Sequence, residues 1–264
     1  MTSPELRVQP RKLNPLAKTL LVGGVSALVI VLTLLGLVGG LSSPSSPTLN
    51  GFSHLLAIDS VQVWWYVTRA AGLMGYLLIW LSTVTGLAVG SKIFDPMLER
   101  MFTYDFHEYL SLLGLGFLLI HIISLMTDRY LPFSALQILV PFLSTYRPFW
   151  VGIGIIAAYL SILVTVTFYV RTMISQQTFR KIHIWSLVAY FGATIHGLYA
   201  GTDSPLAFVQ IMYWVTFLIA VFLCGHWLVT LWMKKQEEKE QARILARKQR
   251  YGKGAKAAVR SVRR

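Results

Sequence analysis

Six apolar stretches, each about as long as a bilayer is thick, leave this chain few alternatives to a helical membrane bundle. They cover roughly residues 18–40, 63–90, 104–126, 149–171, 181–200 and 207–233. A helix rises about 1.5 Å per residue, so about 20 apolar residues cross a hydrocarbon core. Inside lipid every backbone amide needs an internal partner, which a helix supplies. The first stretch, LAKTLLVGGVSALVIVLTLLGLVGG, is too long for a signal-peptide core and reads as a retained anchor. The fifth is the shortest and most polar. The expected fold is all-α, a six-helix transmembrane bundle over 18–233, with an N-terminal segment at 1–17 and a tail at 234–264.

Charge supplies the orientation. The net charge of +13 would suggest nucleic acid in a soluble chain, but only 13% of residues are charged and they crowd beside the apolar runs. Of 24 Lys and Arg, 21 fall on one side of a six-span arrangement; Arg69, Arg129 and Arg147 are the rest. By the positive-inside rule both termini are expected on the cytoplasmic side of a cell membrane. The tail holds twelve basic and three acidic residues and is expected to be helical at most to about Arg250. It reads as topogenic charge or as a dock for anionic lipid or an acidic protein, not as a nucleic-acid site. The single cysteine, Cys224, excludes an internal disulfide, a four-cysteine cluster and a covalent Cys-x-x-Cys-His heme attachment. It reads as an apolar filler.

The segment 130–146, YLPFSALQILVPFLSTY, is apolar but interrupted by Pro132 and Pro141. Neither proline suits a helix interior, so short segments capping the outer end of the bundle are expected.

Four histidines lie inside two of the spans: His107 and His121 on the third, His183 and His196 on the fifth. Ionisable residues in lipid are costly and mark function by default, and imidazole is an axial ligand of heme iron. Fourteen residues separate the first two, roughly 1400° of helix and about 21 Å of rise, so both rings share one face at different depths. Thirteen separate the second two, which misses a common face by roughly 140° in an ideal helix. Gly192 lies between them, where unwinding or a π-bulge would restore alignment. Parallel spans match His107 with His183 and His121 with His196. The expectation is two stacked b-type hemes, each between two imidazoles. Gly114, Gly116, Gly192 and Ala193 are small enough to admit a flat macrocycle, although small residues also mark helix packing. Taken singly, any of these histidines reads equally well as a packing or hydrogen-bonding residue. His54 reads as a loop residue, and His226 as a packing residue or a quinone or proton site.

The segments FHEYLSLLGLGFLLIH and KIHIWSLVAYFGATIHG together resemble the ferric reductase-like transmembrane domain superfamily, which includes NADPH oxidases, ferric-chelate reductases and the heme subunit of bacterial periplasmic methionine sulfoxide reductase. The 14-then-13 spacing is similar to the NADPH oxidase type, and YVTRAAGLMGYLLIWLSTVTGLAVG and YRPFWVGIG are similar to bacterial stand-alone members. The resemblance covers about residues 60–230. It implies His107 and His183 as ligands of an inner heme and His121 and His196 of an outer one. It implies Arg69 near the outer heme, facing a propionate or a reduced-oxygen product. Read by itself, Arg69 is also shallow enough to snorkel past Trp64, Trp65 and Tyr66.

NADPH oxidases continue into a flavin and nicotinamide domain, whereas no Gly-rich nucleotide fingerprint occurs here in a strand–helix context. A separate flavin reductase or a membrane quinol is the expected donor. The acceptor would be ferric iron, oxygen or an extracytoplasmic partner protein, reached by outer-sphere transfer because bis-histidine iron has no open position. Two other readings stand beside this oxidoreductase: a heme subunit feeding an extracytoplasmic reductase, and a non-heme transporter or scaffold whose histidines pack or bind a transition metal.

Overall fold

The computed structural model of the chain describes residues 63–128 and 131–262. Among the described residues there is no strand, and the helices are α1 (Val63–Ser91), α2 (Arg100–Thr127), α3 (Ala135–Leu139), α4 (Pro148–Tyr169), α5 (Gln176–His183), α6 (Trp185–Ala200) and α7 (Ala207–Val262). Four stretches are long and apolar enough to cross a membrane: Trp64–Ser91, Arg100–Thr127, Pro148–Tyr169 and Ala207–Leu245. They coincide with the second, third, fourth and sixth apolar runs of the sequence. The first run, the 1–17 segment and His54 lie outside the described residues. Large apolar side chains such as Leu119, Val166, Phe208, Trp214 and Leu218 stand exposed along these helices. A surface of that kind suits lipid and not water, so the protein is a multi-pass membrane protein.

The antiparallel α1 and α2 form the tightest pair. Leu78 and Leu110 are fully buried between them, with Met74 and Phe106 alongside. The backbones approach closely where side chains are absent: a Cβ on Gly114 would lie 3.4 Å from Ile79 Cγ1, and one on Gly75 3.6 Å from the Leu118 nitrogen. Such small-residue crossings are how helices associate when no hydrophobic effect drives them. Lys92 ends α1 in the left-handed region, φ 60°, as the Ile93 N–H donates back to Ala88 O. Glycine is usual at that stop, and a lysine there costs about 1 kcal/mol.

A second core joins α1, α6 and the first turns of α7 through Tyr76, Tyr190, Val209, Tyr213 and Ala220. Tyr76 and Thr216 share a 2.6 Å hydrogen bond there, and Trp80 Nε1 donates to Thr216 O.

Residues 131–147 hold one short helix, as the two prolines imply, and pack against α4 and the end of α6. Ser134 and Gln137 make a reciprocal capping box that starts α3, and Tyr159 on α4 donates its hydroxyl to Leu139 O. Tyr146 and Arg147 then donate to Ala200 O (3.1 Å) and Tyr199 O (2.6 Å), satisfying carbonyls at the end of α6. Arg147 adopts φ 42° immediately before Pro148, where a residue normally stays extended.

The fifth apolar run differs from its expectation. Its helix is interrupted at Ile184, directly after His183, while α6 runs unbroken through Gly192. Gly192 instead packs against α4, where a Cβ would lie 3.2 Å from Ala157 Cβ.

The chain divides into two compact units at Ala220. The second, from Val221, is the rest of α7 and stays helical to Val262, beyond the Arg250 limit read from the sequence. From Lys234 to Arg250 every residue but Ile244 is Lys, Arg, Glu, Gln, Ala or Leu, the types that favour helix most.

Candidate functional site

The structure brings the four histidines together as two pairs. His107 on α2 faces His183 at the end of α5, with ring centroids 6.0 Å apart and planes at 74°. His121 on α2 faces His196 on α6, at 6.4 Å and 81°. The break at Ile184 falls between the two histidines of the fifth run, so the ideal-helix phase argument does not apply to them. The 13-residue spacing therefore serves two rings on one side without a bulge at Gly192.

Three of the four rings are oriented by a backbone carbonyl. Nδ1 of His107 lies 2.9 Å from Ser82 O, that of His121 2.8 Å from Thr68 O, and that of His196 2.9 Å from Trp150 O. A neutral imidazole that donates from Nδ1 keeps its lone pair on Nε2, the tautomer that ligates a metal. Each of these carbonyls is reached over a glycine four residues further along its helix. A Cβ on Gly86 would lie 2.9 Å from His107 Cε1, one on Gly72 3.0 Å from His121 Nδ1, and one on Gly154 would overlap the His196 ring. The side chain at position i+4 covers the carbonyl of residue i, so glycine is what opens it.

On α1 the arrangement occurs twice. Thr68 with Gly72 and Ser82 with Gly86 repeat at 14 residues, the same interval as His121 and His107 on the antiparallel partner. Hydroxyls repeat with it: Thr68 Oγ1 donates to Ser124 Oγ, which donates to His121 O; Ser82 Oγ pairs with Ser111 Oγ, which donates to His107 O. This paired scaffold is legible in the sequence once the 14-residue interval is applied to span two as well as span three. Of the small residues first singled out, Gly114 and Gly192 serve helix packing, and nothing lies within 4 Å of a Cβ on Gly116.

His183 is the exception. Its Nδ1 is buried and has no hydrogen-bond partner, and its ring packs 5.2 Å from Phe179. His226, on α7, also has a buried Nδ1 without a partner.

A cavity of about 310 Å³ opens beside the His121–His196 pair, within the range of small-molecule sites. Its lining is largely apolar and includes Gly72, Gly154, Tyr76 and Tyr213, with Leu131 and Phe133 of the 131–147 segment. Arg69 and Asp203 line it too and hold each other in a two-pronged ion pair, Nε to Oδ2 at 2.8 Å and NH2 to Oδ1. Arg69 is thus fixed by a carboxylate rather than left to snorkel. Asp203 was not among the sequence-derived candidates, and its 134-residue distance from Arg69 explains why.

Among the described residues, no three or more His, Cys, Asp or Glu gather as a metal site. Each pair instead offers two nitrogens, the number that suits an iron already held by four macrocycle nitrogens. Fold and site together define a multi-pass helical membrane protein with two facing imidazole pairs. Comparison of the chain with protein-family models, curated proteins and solved structures found no match.

Proposed function

We propose that the chain is a transmembrane electron-transfer cytochrome b, holding one b-type heme between His107 and His183 and a second between His121 and His196. The observation that carries this reading is the pairing of four imidazoles two by two, three with Nδ1 committed to a carbonyl and a glycine cut away beneath the ring. A packing histidine needs neither feature. Heme iron held by two imidazoles supplies a one-electron carrier. The chain's own work is to hold the rings in opposition, fix their tautomers through Ser82, Thr68 and Trp150, and exclude water with the cap over residues 131–147.

The full bundle of this proposal has six spans, adding the 18–40 run and the α5–α6 pair to the four long helices, with both termini in the cytoplasm. His107 and His183 then stand on the cytoplasmic side, where a separate flavin reductase or a membrane quinol delivers electrons. His121 and His196 stand outward, where ferric iron, oxygen or a partner protein accepts them. Arg69, fixed by Asp203 on the outer cavity wall, is placed to meet a heme propionate or an anionic product. The ferric reductase-like resemblance of the sequence supports the same assignment. Two donors per site favour it over a transporter binding a bare transition metal, which takes three or four protein ligands.

A reduced-minus-oxidised absorption spectrum of the purified protein tests the proposal. A b-type α-band with two hemes per chain is the expected result, and its absence with heme supplied during expression overturns it.

A further inference from the structure

The two sites are built unequally, and the inequality traces to one position. On α1 a carbonyl at residue i and a glycine at i+4 hold a histidine, at 68 and 72 and again at 82 and 86. On α4 the outer copy is present as Trp150 and Gly154. The inner copy, again 14 residues on, is Val164 and Phe168. The intervening residues even match, since STVTG on α1 corresponds to VTVTF on α4. Both threonine hydroxyls bond back to the carbonyl in question, Thr85 to Ser82 O and Thr167 to Val164 O. A threonine at i+3 therefore does not keep the imidazole away, as His107 reaches Ser82 O beside it. The difference is Phe168 where the other three places have glycine. Phe168 is itself engaged, its ring 6.4 Å from Phe179 and beneath the Arg171 guanidinium. His183 is left with aromatic packing in place of a carbonyl, on the last residue of an eight-residue helix that breaks at Ile184.

Resting on the heme reading above, we propose that His183 is the exchangeable one of the four imidazoles: it would yield its place on a bound inner heme to a small exogenous ligand, whereas His121 and His196 would both stay on the outer one. A hydrogen-bond partner on the far nitrogen of a metal-bound histidine is worth about 10- to 100-fold in affinity, and His183 is the one of the four imidazoles without such a partner.

The test uses the full chain in lipid nanodiscs, loaded with heme and reduced with dithionite, with carbon monoxide as the probe. Half of the heme is expected to form the carbon monoxide complex and half to stay unchanged. In His121→Leu, which keeps the inner pair, the remaining heme should bind carbon monoxide as the reactive half does. Phe168→Gly, which restores at this position the glycine that the other three places have, is expected to give His183 a carbonyl partner and to weaken carbon monoxide binding at least about tenfold. Two bound hemes that both resist carbon monoxide, or both take it alike, overturn this inference and leave the cytochrome assignment standing. A folded Phe168→Gly protein with two hemes and unchanged binding overturns it as well. Protein that binds no heme removes the cytochrome assignment and this inference with it. If Phe168→Gly does not fold, the wild-type and His121→Leu measurements still decide.

Discussion

Gly86 lies against the His107 imidazole, so close that a Cβ on it would stand 2.9 Å from Cε1. The contact exists because His107 must pass over that position to reach Ser82 O. Gly86→Ala is therefore expected to push the ring off its carbonyl at an overpacking cost of roughly 1–3 kcal/mol and to lower inner-site occupancy. Gly154→Ala should do the same at His196, with greater loss because its Cβ would overlap the ring. Gly116→Ala is the control, since nothing lies within 4 Å of its Cβ. Heme-to-protein ratios decide: near one for the first two and unchanged at two for the third. Full heme in Gly154→Ala would show that the glycine has no part in holding the group.

The Arg69–Asp203 pair ties α1 to the turn after α6 and is partly screened, with side chains 32% and 14% exposed. Removing one partner leaves the other charge unpaired on an apolar cavity wall. Asp203→Asn is expected to lower the thermal midpoint by a few degrees, the order set by a charged hydrogen bond of roughly 1.5–3 kcal/mol. Replacing both, as Arg69→Leu with Asp203→Leu, should recover most of that loss, because no buried charge then lacks a partner. Redox titration adds a second reading. Loss of the Asp203 charge should raise the potential of the outer heme and leave the inner one in place. A uniform shift of both hemes would mean that the carboxylate acts on the whole bundle.

Much of the site was legible because helix geometry alone carries it. Fourteen residues on α2 return a side chain to one face, and the structure pairs His107 and His121 with the partners that the depths require. The phase of His183 was not legible. The interruption falls at Ile184, a residue whose type marks no break, and not at Gly192, whose type suggests one. Asp203 was hidden for a different reason: an acidic residue in a short loop acquires meaning only when tertiary packing sets Arg69 beside it. The glycine-and-carbonyl scaffold was present in the sequence as a 14-residue repeat on α1, but matching its two copies to His121 and His107 takes the register in which α1 packs on α2. Of the small residues on the histidine helices, Gly114 and Gly192 pack against neighbouring helices and Ala193 lines the cavity, whereas Gly116 meets nothing.

Topology is open to direct measurement. With 21 of 24 basic residues on one side of the proposed arrangement, reporter fusions after residues 95 and 176 should read cytoplasmic, and fusions after 45 and 203 external. The fusion at 176 matters most, because it lies between α4 and α5. An external reading there would set α5 and α6 in the opposite sense and remove His183 from the donor side.

Sidedness gives the proposed function its sharpest consequence. If the cytoplasmic donor meets the inner pair first, the two pairs must fail differently. His121→Leu or His196→Leu removes one ligand from the outer site while the Ser82 and Gly86 scaffold around His107 stays whole. Such variants are expected to keep about half of the heme and to accept electrons from the donor, yet to reduce nothing outside. His107→Leu or His183→Leu should spare the outer site, held by Thr68, Gly72, Trp150 and Gly154, and block reduction by the donor. Small-molecule reductants added from outside should still reduce the remaining heme. Packing histidines would instead give a graded loss of stability in all four variants with no sidedness, and a single-heme protein would show only one pair affecting heme content. Heme-to-protein ratio and donor-driven reduction in vesicles of known orientation separate these cases. Outer-pair variants that retain both hemes would end the two-site assignment.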